Sequence, residues 1–189
     1  MKRFFIPGLL LVPFFLSGQV VNFAKTLPER AFSVGLTPAY HFDNNVILFD
    51  AGGPAAALNV GYGVQYSFDV GAKYYYFLNG PDYIGIDGQI LVHESRESYV
   101  SIIAGGHKWE HFGADLTGLY TYAPRYAYNF SVGLDLDLDF ADELLRRVWI
   151  PLNVGLNANE MLYVYAEYNL PVSEMSWSIV ALGINVILR

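Results

Sequence analysis

The chain has 189 residues, is 53% hydrophobic and carries a formal net charge of −7. The acidic balance excludes the basic surface of a nucleic-acid-binding protein. The absence of cysteine excludes disulfides, cysteine-ligated metals and lipid attachment to an N-terminal cysteine. Because no run of eighteen apolar residues occurs, a transmembrane helix is excluded as well, and a chain this apolar must hide its surface in another way.

The N-terminus has the pattern of a secretory signal peptide. A positive dipeptide, Lys2-Arg3, precedes an apolar run that is too short to span a bilayer and is followed by small residues. We expect residues 1–24 to comprise the signal peptide and a short N-terminal segment, with cleavage after Gly18 or after Ala24. Residues 25–189 then form the mature domain, whose formal charge is −9 because nine Lys and Arg remain against eighteen Asp and Glu.

From Arg30 onward, apolar residues alternate with small or polar residues, which predicts β-strands with two unlike faces. The clearest stretch is 126–140, where eight large apolar residues alternate with seven small or polar ones. The least regular is 99–106, where both faces are mixed. Counting it gives ten strands, and eight is the alternative if weak segments merge or lie outside the barrel wall. In chain order the predicted strands are 32–41, 58–68, 70–78, 84–93, 99–106, 112–122, 126–140, 150–157, 162–170 and 179–188.

Turn-forming residues separate these strands. They stand at 79–82, 123–125 and 157–160. The first connection, 43–54, is the longest, and residues 141–147 could form one helical turn. An even number of strands lets both ends of a barrel wall finish on the same side of the membrane.

The charged residues indicate which face points outward. A soluble β-sandwich or a lipocalin-like barrel would bury its large apolar residues and expose Lys and Glu. Here the charged residues share the phase of Gly, Ala, Ser and Asn in the clear strands. Charged residues are thus absent from the apolar face of these strands. Contact with lipid explains their absence, since a Lys or Arg at mid-bilayer costs about 2–4 kcal/mol. We therefore predict an all-β fold, a closed antiparallel up-and-down transmembrane β-barrel with a polar network in its lumen. The predicted lumen residues are Lys73, Asp87, Asp115, Asp135, Asp137, Asp139 and Glu167.

Aromatic residues make up 16% of the chain and often fall on the apolar face near strand ends. Tyr and Trp favour the headgroup zone of a membrane, because the ring is apolar and the polar tip stays wet. The predicted interface aromatics are Tyr40, Tyr66, Phe68, Tyr76, Tyr120, Tyr122, Tyr126, Tyr128 and Phe140.

On these patterns, residues 30–189 resemble the small outer-membrane β-barrel proteins of bacteria. The resemblance implies an antiparallel barrel in the outer membrane of a Gram-negative-type envelope, surrounded by lipid, with strands tilted by about 35–45°. The chain departs from that class at its end, Ile187-Leu188-Arg189, where many members have an aromatic residue.

The sharpest polar feature is the ladder Asp135, Asp137 and Asp139. Alternate positions place the three carboxylates on one face, about 7 Å apart along the strand. The ladder predicts a structural lumen network paired with Lys73 or with the Arg146-Arg147 dipeptide, which we favour. The alternative is a site for a small cation at a cation-selective pore mouth.

The one enzyme-like feature is a His-Glu-Ser sequence. It is loosely similar to the outer-membrane lipid A deacylases, which have a His-x-Ser arrangement with a distant acid. The similarity implies His93 as the base of Ser95, with Glu97 or Glu110 as the acid. Arg96 stands where that family has an Asn, and a polar turn is the favoured interpretation.

Residues 107–111 predict a surface loop with Trp109 near the membrane interface. Two histidines four apart have no special meaning for metal binding in a strand turn, and nothing in the sequence indicates a metal site or a cofactor.

Three functions are compatible with these observations. The first is a structural or interaction role in the envelope, with protein partners left open. The second is a narrow channel for small solutes or cations through the acidic lumen, since a barrel of this size is mostly filled by side chains. The third is a lipid A-modifying enzyme.

Overall fold

The structure is a computed structural model that describes residues 23–42, 52–125, 127–141, 144–174 and 176–189. Within these ranges the chain forms ten β-strands joined by turns, and no helix there is long and apolar enough to span a membrane. In chain order the strands are β1 Phe32–Phe42, β2 Gly53–Gln65, β3 Phe68–Phe77, β4 Tyr83–Glu94, β5 Ser98–Lys108, β6 Phe112–Arg125, β7 Tyr128–Phe140, β8 Leu144–Asn157, β9 Leu162–Pro171 and β10 Ser178–Leu188.

The strands close into an antiparallel barrel in which each strand pairs with its neighbours in the chain. β1 completes the ring, because Val34 pairs with Val60 of β2 on one side and with Val186 of β10 on the other. Because the barrel is closed, every strand has a neighbour on both sides. The backbone N–H and C=O groups are then hydrogen-bonded between strands, as lipid requires. The predicted up-and-down barrel is confirmed. The eight-strand alternative is wrong, because the mixed segment after Tyr99 belongs to a complete strand, β5.

The alternation places large apolar side chains on the outside of the barrel. Leu36, Leu134 and Leu182, on three different strands, are 59%, 58% and 62% exposed. The inward positions that flank them are buried or half-buried. An apolar exterior that continues over so many strands is stable in lipid and not in water. The structure is therefore that of a transmembrane barrel.

Most of the predicted interface aromatics lie on this apolar exterior, where we propose that they contact the headgroup zone. Phe68 and Tyr128 are half-buried, and Tyr126 lies outside the described residues. The exposed members of the set are Tyr40, Tyr66, Tyr76, Tyr120, Tyr122 and Phe140.

Two connections differ from the prediction. β8 already begins at Leu144, which pairs with the last residue of β7, so the helical turn expected at 141–147 is wrong. β6 continues to Arg125, through the break expected at 123–125. In both places a partner strand satisfies the backbone, and that outweighs the local turn signal. Most of the long first connection, residues 43–51, lies outside the described residues.

Candidate functional site

The lumen has two unlike halves. We call the terminal end the one at which β1 begins and β10 finishes, and the far end the one at which β1 finishes and β10 begins. A large cavity lies toward the terminal end. Ionic and aromatic side chains fill the lumen toward the far end.

A row of ionic groups crosses the inner wall of strands β5 to β8. His107 Nδ1 lies 2.5 Å from Asp115 Oδ1, and His107 Nε2 lies 2.6 Å from Asp139 Oδ1. Arg147 donates from Nη1 to the other carboxylate oxygen of Asp139. All four side chains are at least nine-tenths buried. We call this row the charge chain. Its members hold one another in place, since an unpaired charge at such a depth would be strongly destabilising.

Gly113 makes the charge chain possible. It lies on β6, in register with His107 on β5 and with Asp139 on β7. A Cβ atom at this position would overlap the His107 imidazole. Glycine therefore lets the ring reach across a whole strand, as a close approach of this kind requires.

The three aspartates of β7 are all buried on the lumen side, but their partners differ. Asp137 lies in register with Asp115 of β6 and with Arg147 of β8. Asp135 accepts a hydrogen bond from Thr117 Oγ1 at 2.6 Å through Oδ1. The second oxygen of Asp135, Oδ2, is buried without a hydrogen-bond partner. Asp135, the aspartate of the three that lies farthest from the far end, therefore has a carboxylate oxygen to which no described side chain donates.

The cations expected beside this ladder take three different positions. Arg147 pairs with the ladder at Asp139. Lys73 instead pairs with Asp87, with Nζ 2.7 Å from Oδ2. Arg146 lies on the outward phase of β8 and is exposed. The phase of each strand thus decides which cation reaches the lumen, even where two arginines are adjacent.

The predicted lumen residue Glu167 belongs to a network of amides and hydroxyls in the middle of the lumen. Its carboxylate accepts hydrogen bonds from Asn169 Nδ2 at 3.0 Å and from Asn153 Nδ2 at 3.4 Å. Nearby on β9, the hydroxyl of Tyr165 shares a hydrogen bond of 2.6 Å with Thr37 on β1. Side chains from β1, β8 and β9 therefore meet at this level of the lumen.

An aromatic cap closes the lumen at the far end. The Arg147 guanidinium lies 4.8 Å from the ring centroid of Trp109 and 5.6 Å from that of Trp177. A buried cation over an aromatic face contributes about 2 kcal/mol. Trp149 Nε1 donates to the carbonyl of Trp177 at 2.9 Å, and a cavity of only about 30 Å³ remains beneath the rings. The cap consists of Phe77, Tyr83, Trp109, Trp149 and Trp177.

The surface loop predicted at 107–111 is shorter than expected, since only residues 109–111 connect β5 and β6, and the predicted position of Trp109 at the membrane interface is wrong. His107 lies in β5 and is buried in the charge chain, and Trp109 is 6% exposed with its Nε1 donating to Pro81 O at 2.9 Å. Both residues continue the inward phase that begins at Tyr99. The two-residue period from Tyr99 onward could therefore have predicted that both side chains point inward. It was hard to recognise because polar and apolar residues occur on both faces of this strand.

The chain that precedes β1 folds into the lumen from the terminal end. Gln89 Nε2 donates to the carbonyl of Phe23 at 3.0 Å, and the backbone N–H of Ala24 donates to Thr121 Oγ1 at 2.9 Å. Ala24 is fully buried. The residues on either side of this expected cleavage point are therefore part of the folded barrel.

A cavity of about 1260 Å³ remains around this segment. It reaches the middle of the lumen at Lys73 and Asp87, and it extends to Arg96 and Glu160 in the turns of the terminal end. Its volume exceeds the range of about 300–1,000 Å³ that is usual for a small-molecule pocket, whereas the cavity beneath the cap at the far end is about 30 Å³.

The structure does not bring the enzyme-like residues together. His93 and Ser95 are exposed at the terminal end, where Ser95 Oγ shares a hydrogen bond of 2.7 Å with Ser98 Oγ. Glu97 lies in the same turn, and its backbone N–H donates to Ser95 Oγ at 3.4 Å. Glu110 is exposed in the connection between β5 and β6, at the far end. This arrangement is that of a polar turn, as the sequence favoured, and not that of a catalytic triad.

No protein-family model matches the chain, and no curated protein matches it in sequence. Solved structures match it in fold. An outer-membrane channel from Pseudomonas putida F1 has a TM-score of 0.61 and 5% identity, and the match covers 87% of this chain and 98% of that one. The KdgM porin has a TM-score of 0.49 and 11% identity, covering 83% and 99%. Ail, the attachment invasion locus protein of Yersinia pestis, has a TM-score of 0.31 and 13% identity, covering 85% and 99%. The fold shared with the Pseudomonas putida channel is a closed β-barrel, and the apolar exterior of this chain is that of a barrel in a membrane.

Proposed function

We propose that this protein is an outer-membrane barrel with a closed lumen and a structural or interaction role in the envelope. The observation that carries the proposal is the aromatic cap. Five rings and the Arg147 guanidinium fill the far end and leave about 30 Å³ beneath them. That volume holds very few water molecules and no nutrient-sized solute. A diffusion pore needs a continuous path, which the cap and the charge chain interrupt.

The contacts of the cap support a permanent closure. Trp109 lies 5.7 Å from Phe77, 5.4 Å from Tyr83 and 4.8 Å from Trp177, measured between ring centroids. Aromatic pairs at these distances contribute about 0.5–1.5 kcal/mol each beyond their burial. Opening the far end would break several such pairs and the cation contact with Arg147 at the same time.

Conductance in planar lipid bilayers tests the proposal. We expect the wild-type barrel to give no stepwise ion conductance. The double variant Trp109→Ala/Trp177→Ala removes two rings of the cap and should introduce small conductance steps. The matched control Tyr76→Ala truncates an exposed aromatic residue on the outside and should remain silent. Stable conductance steps from the wild-type protein would contradict a closed lumen.

The acidity of the lumen favours a second candidate function, the slow passage of small cations. In the far half of the described barrel, the carboxylates of β7 and of Asp115 outnumber the two buried cations, His107 and Arg147. A ring of carboxylates attracts cations and repels anions. If the wild-type barrel conducts, its reversal potential in a salt gradient should indicate cation preference, and Asp137→Asn should reduce that preference. Anion preference, or none, would dismiss this candidate.

A further inference from the structure

We propose that His107, Asp115 and Asp137 bind one divalent transition-metal ion of the zinc class inside the lumen. One imidazole nitrogen and one oxygen from each carboxylate all lie within 4.8 Å of one another. Zinc is bound by such nitrogen and oxygen ligands at about 2.0–2.2 Å in a tetrahedral arrangement. Tetrahedral ligands at that distance lie about 3.4 Å from one another, so the most distant of these atoms have to close in by up to about 1.4 Å, and His107 Nδ1 and Asp115 Oδ1 have to separate by about 1 Å.

The outer contacts of His107 match those of a metal-bound histidine. Its Nε2 lies 2.6 Å from Asp139 Oδ1, and Arg147 holds the other oxygen of that carboxylate. Metal-binding histidines almost always donate their second N–H to a carboxylate or carbonyl, which fixes the tautomer and the orientation of the ring. His107 Nδ1 is then the nitrogen that faces Asp115, at 2.5 Å. A metal bound by both side chains replaces the hydrogen bond that they form there.

The surroundings also provide for a fourth ligand. Of the three ligands, Asp137 lines the cavity of about 30 Å³ beneath the cap, together with Tyr83, and this volume accommodates a water molecule. A water ligand completes the four-coordinate geometry of zinc with three protein ligands. Asp135, two residues along β7 from Asp137, has a buried Oδ2 without a hydrogen-bond partner, but it does not line this cavity and lies outside the proposed ligand set.

Electrostatics favours the binding of a dication at this level. Asp115, Asp135 and Asp137 lie together behind the cap, where burial makes ionised carboxylates costly without counter-charges. Arg147 forms its ion pair with Asp139 and lies in register with Asp137, and His107 pairs with Asp115. Binding of a dication to His107 releases the proton from Nδ1, so the local charge becomes more positive by one unit.

Zinc binding by the purified full chain tests this site. The protein is treated with a chelator in urea and refolded into detergent micelles at a series of Zn²⁺ concentrations, because the far end of the folded barrel is closed, and the bound zinc is measured after the free metal has been removed. We expect one equivalent to bind, and Co²⁺ in its place to produce the visible absorption of a tetrahedral nitrogen–oxygen site. His107→Gln and Asp137→Asn should each weaken binding by more than about 100-fold, and Asp139→Asn, which alters an outer contact, by about 10–100-fold.

The matched control is the double variant His93→Gln/His111→Gln, which removes two exposed histidines and should bind Zn²⁺ like the wild-type protein. Circular dichroism and heat-dependent migration on gels check the fold of each variant. If His107→Gln does not fold, Asp137→Asn carries the test, because its side chain keeps the same shape. Three results would overturn the site: no saturable binding by the wild-type protein, binding lost in the control variant, or binding retained in the His107 and Asp137 variants. None of them depends on whether the barrel conducts ions.

Discussion

Removal of the Arg147 guanidinium should strongly destabilise the barrel, because this group connects the charge chain to the aromatic cap. Arg147 is 2% exposed, donates to Asp139 and lies over the rings of Trp109 and Trp177. The variant Arg147→Gln keeps much of the side-chain volume but removes the charge. The Asp139 carboxylate then remains buried with His107 as its cationic contact.

The size of the effect follows from these contacts. Breaking a buried ion pair by removing one partner costs about 3–5 kcal/mol, and a desolvated cation over an aromatic face contributes about 2 kcal/mol. Since these contributions share one group, they do not add in full. We expect Arg147→Gln to lower the free energy of unfolding by about 4 kcal/mol.

Equilibrium urea unfolding in lipid vesicles measures this loss. The chain has three tryptophans and all of them belong to the cap, so their fluorescence reports on the cap while circular dichroism reports on the strands. Arg146→Gln is the matched control, because Arg146 is the adjacent residue on the outside, and should change stability by at most about 1 kcal/mol. Equal destabilisation by the two variants would refute the reasoning. The double variant Arg147→Gln/Asp139→Asn should recover part of the loss, since it leaves no carboxylate without its arginine and the amide oxygen at position 139 can still accept from His107 Nε2.

Three further predictions concern the backbone, the lipid face and the N-terminus. Gly113→Ala should lower the free energy of unfolding in urea by about 1–3 kcal/mol, because the added Cβ would overlap the His107 imidazole. The control Gly118→Ala should be nearly neutral, because the space around Gly118 is open. Leu182→Arg, in the middle of β10, should cost about 2–4 kcal/mol in a bilayer and Leu188→Arg, at the strand end, about 0–1 kcal/mol; equal costs would contradict the assigned lipid face. Mass spectrometry of the exported protein should find a mature chain that starts before Phe23, whose carbonyl is hydrogen-bonded inside the lumen, and a later start would contradict this.

The inward direction of the charged residues could be predicted from sequence, but their pairing could not. The predicted lumen residues all lie on the inner face, because a two-residue period decides direction within each strand. Arg147 and Trp149 follow the same inward phase in β8, yet residues 141–147 read locally as a turn. Only pairing with β7 reveals that the strand already begins at Leu144.

The sequence by itself determined the strands, the lipid-facing side and the acidic lumen, since side-chain alternation is a local property of each strand. Only the tertiary structure decided which inward groups meet. His107 and Asp139 are separated by an intervening strand, and they touch because Gly113 between them has no side chain. Trp109 and Trp177 come from connections at opposite sides of the ring, and they meet because closure brings those connections together over one narrow lumen. Contacts across a barrel depend on the register of every strand pair around it, and that information is not contained in any single strand.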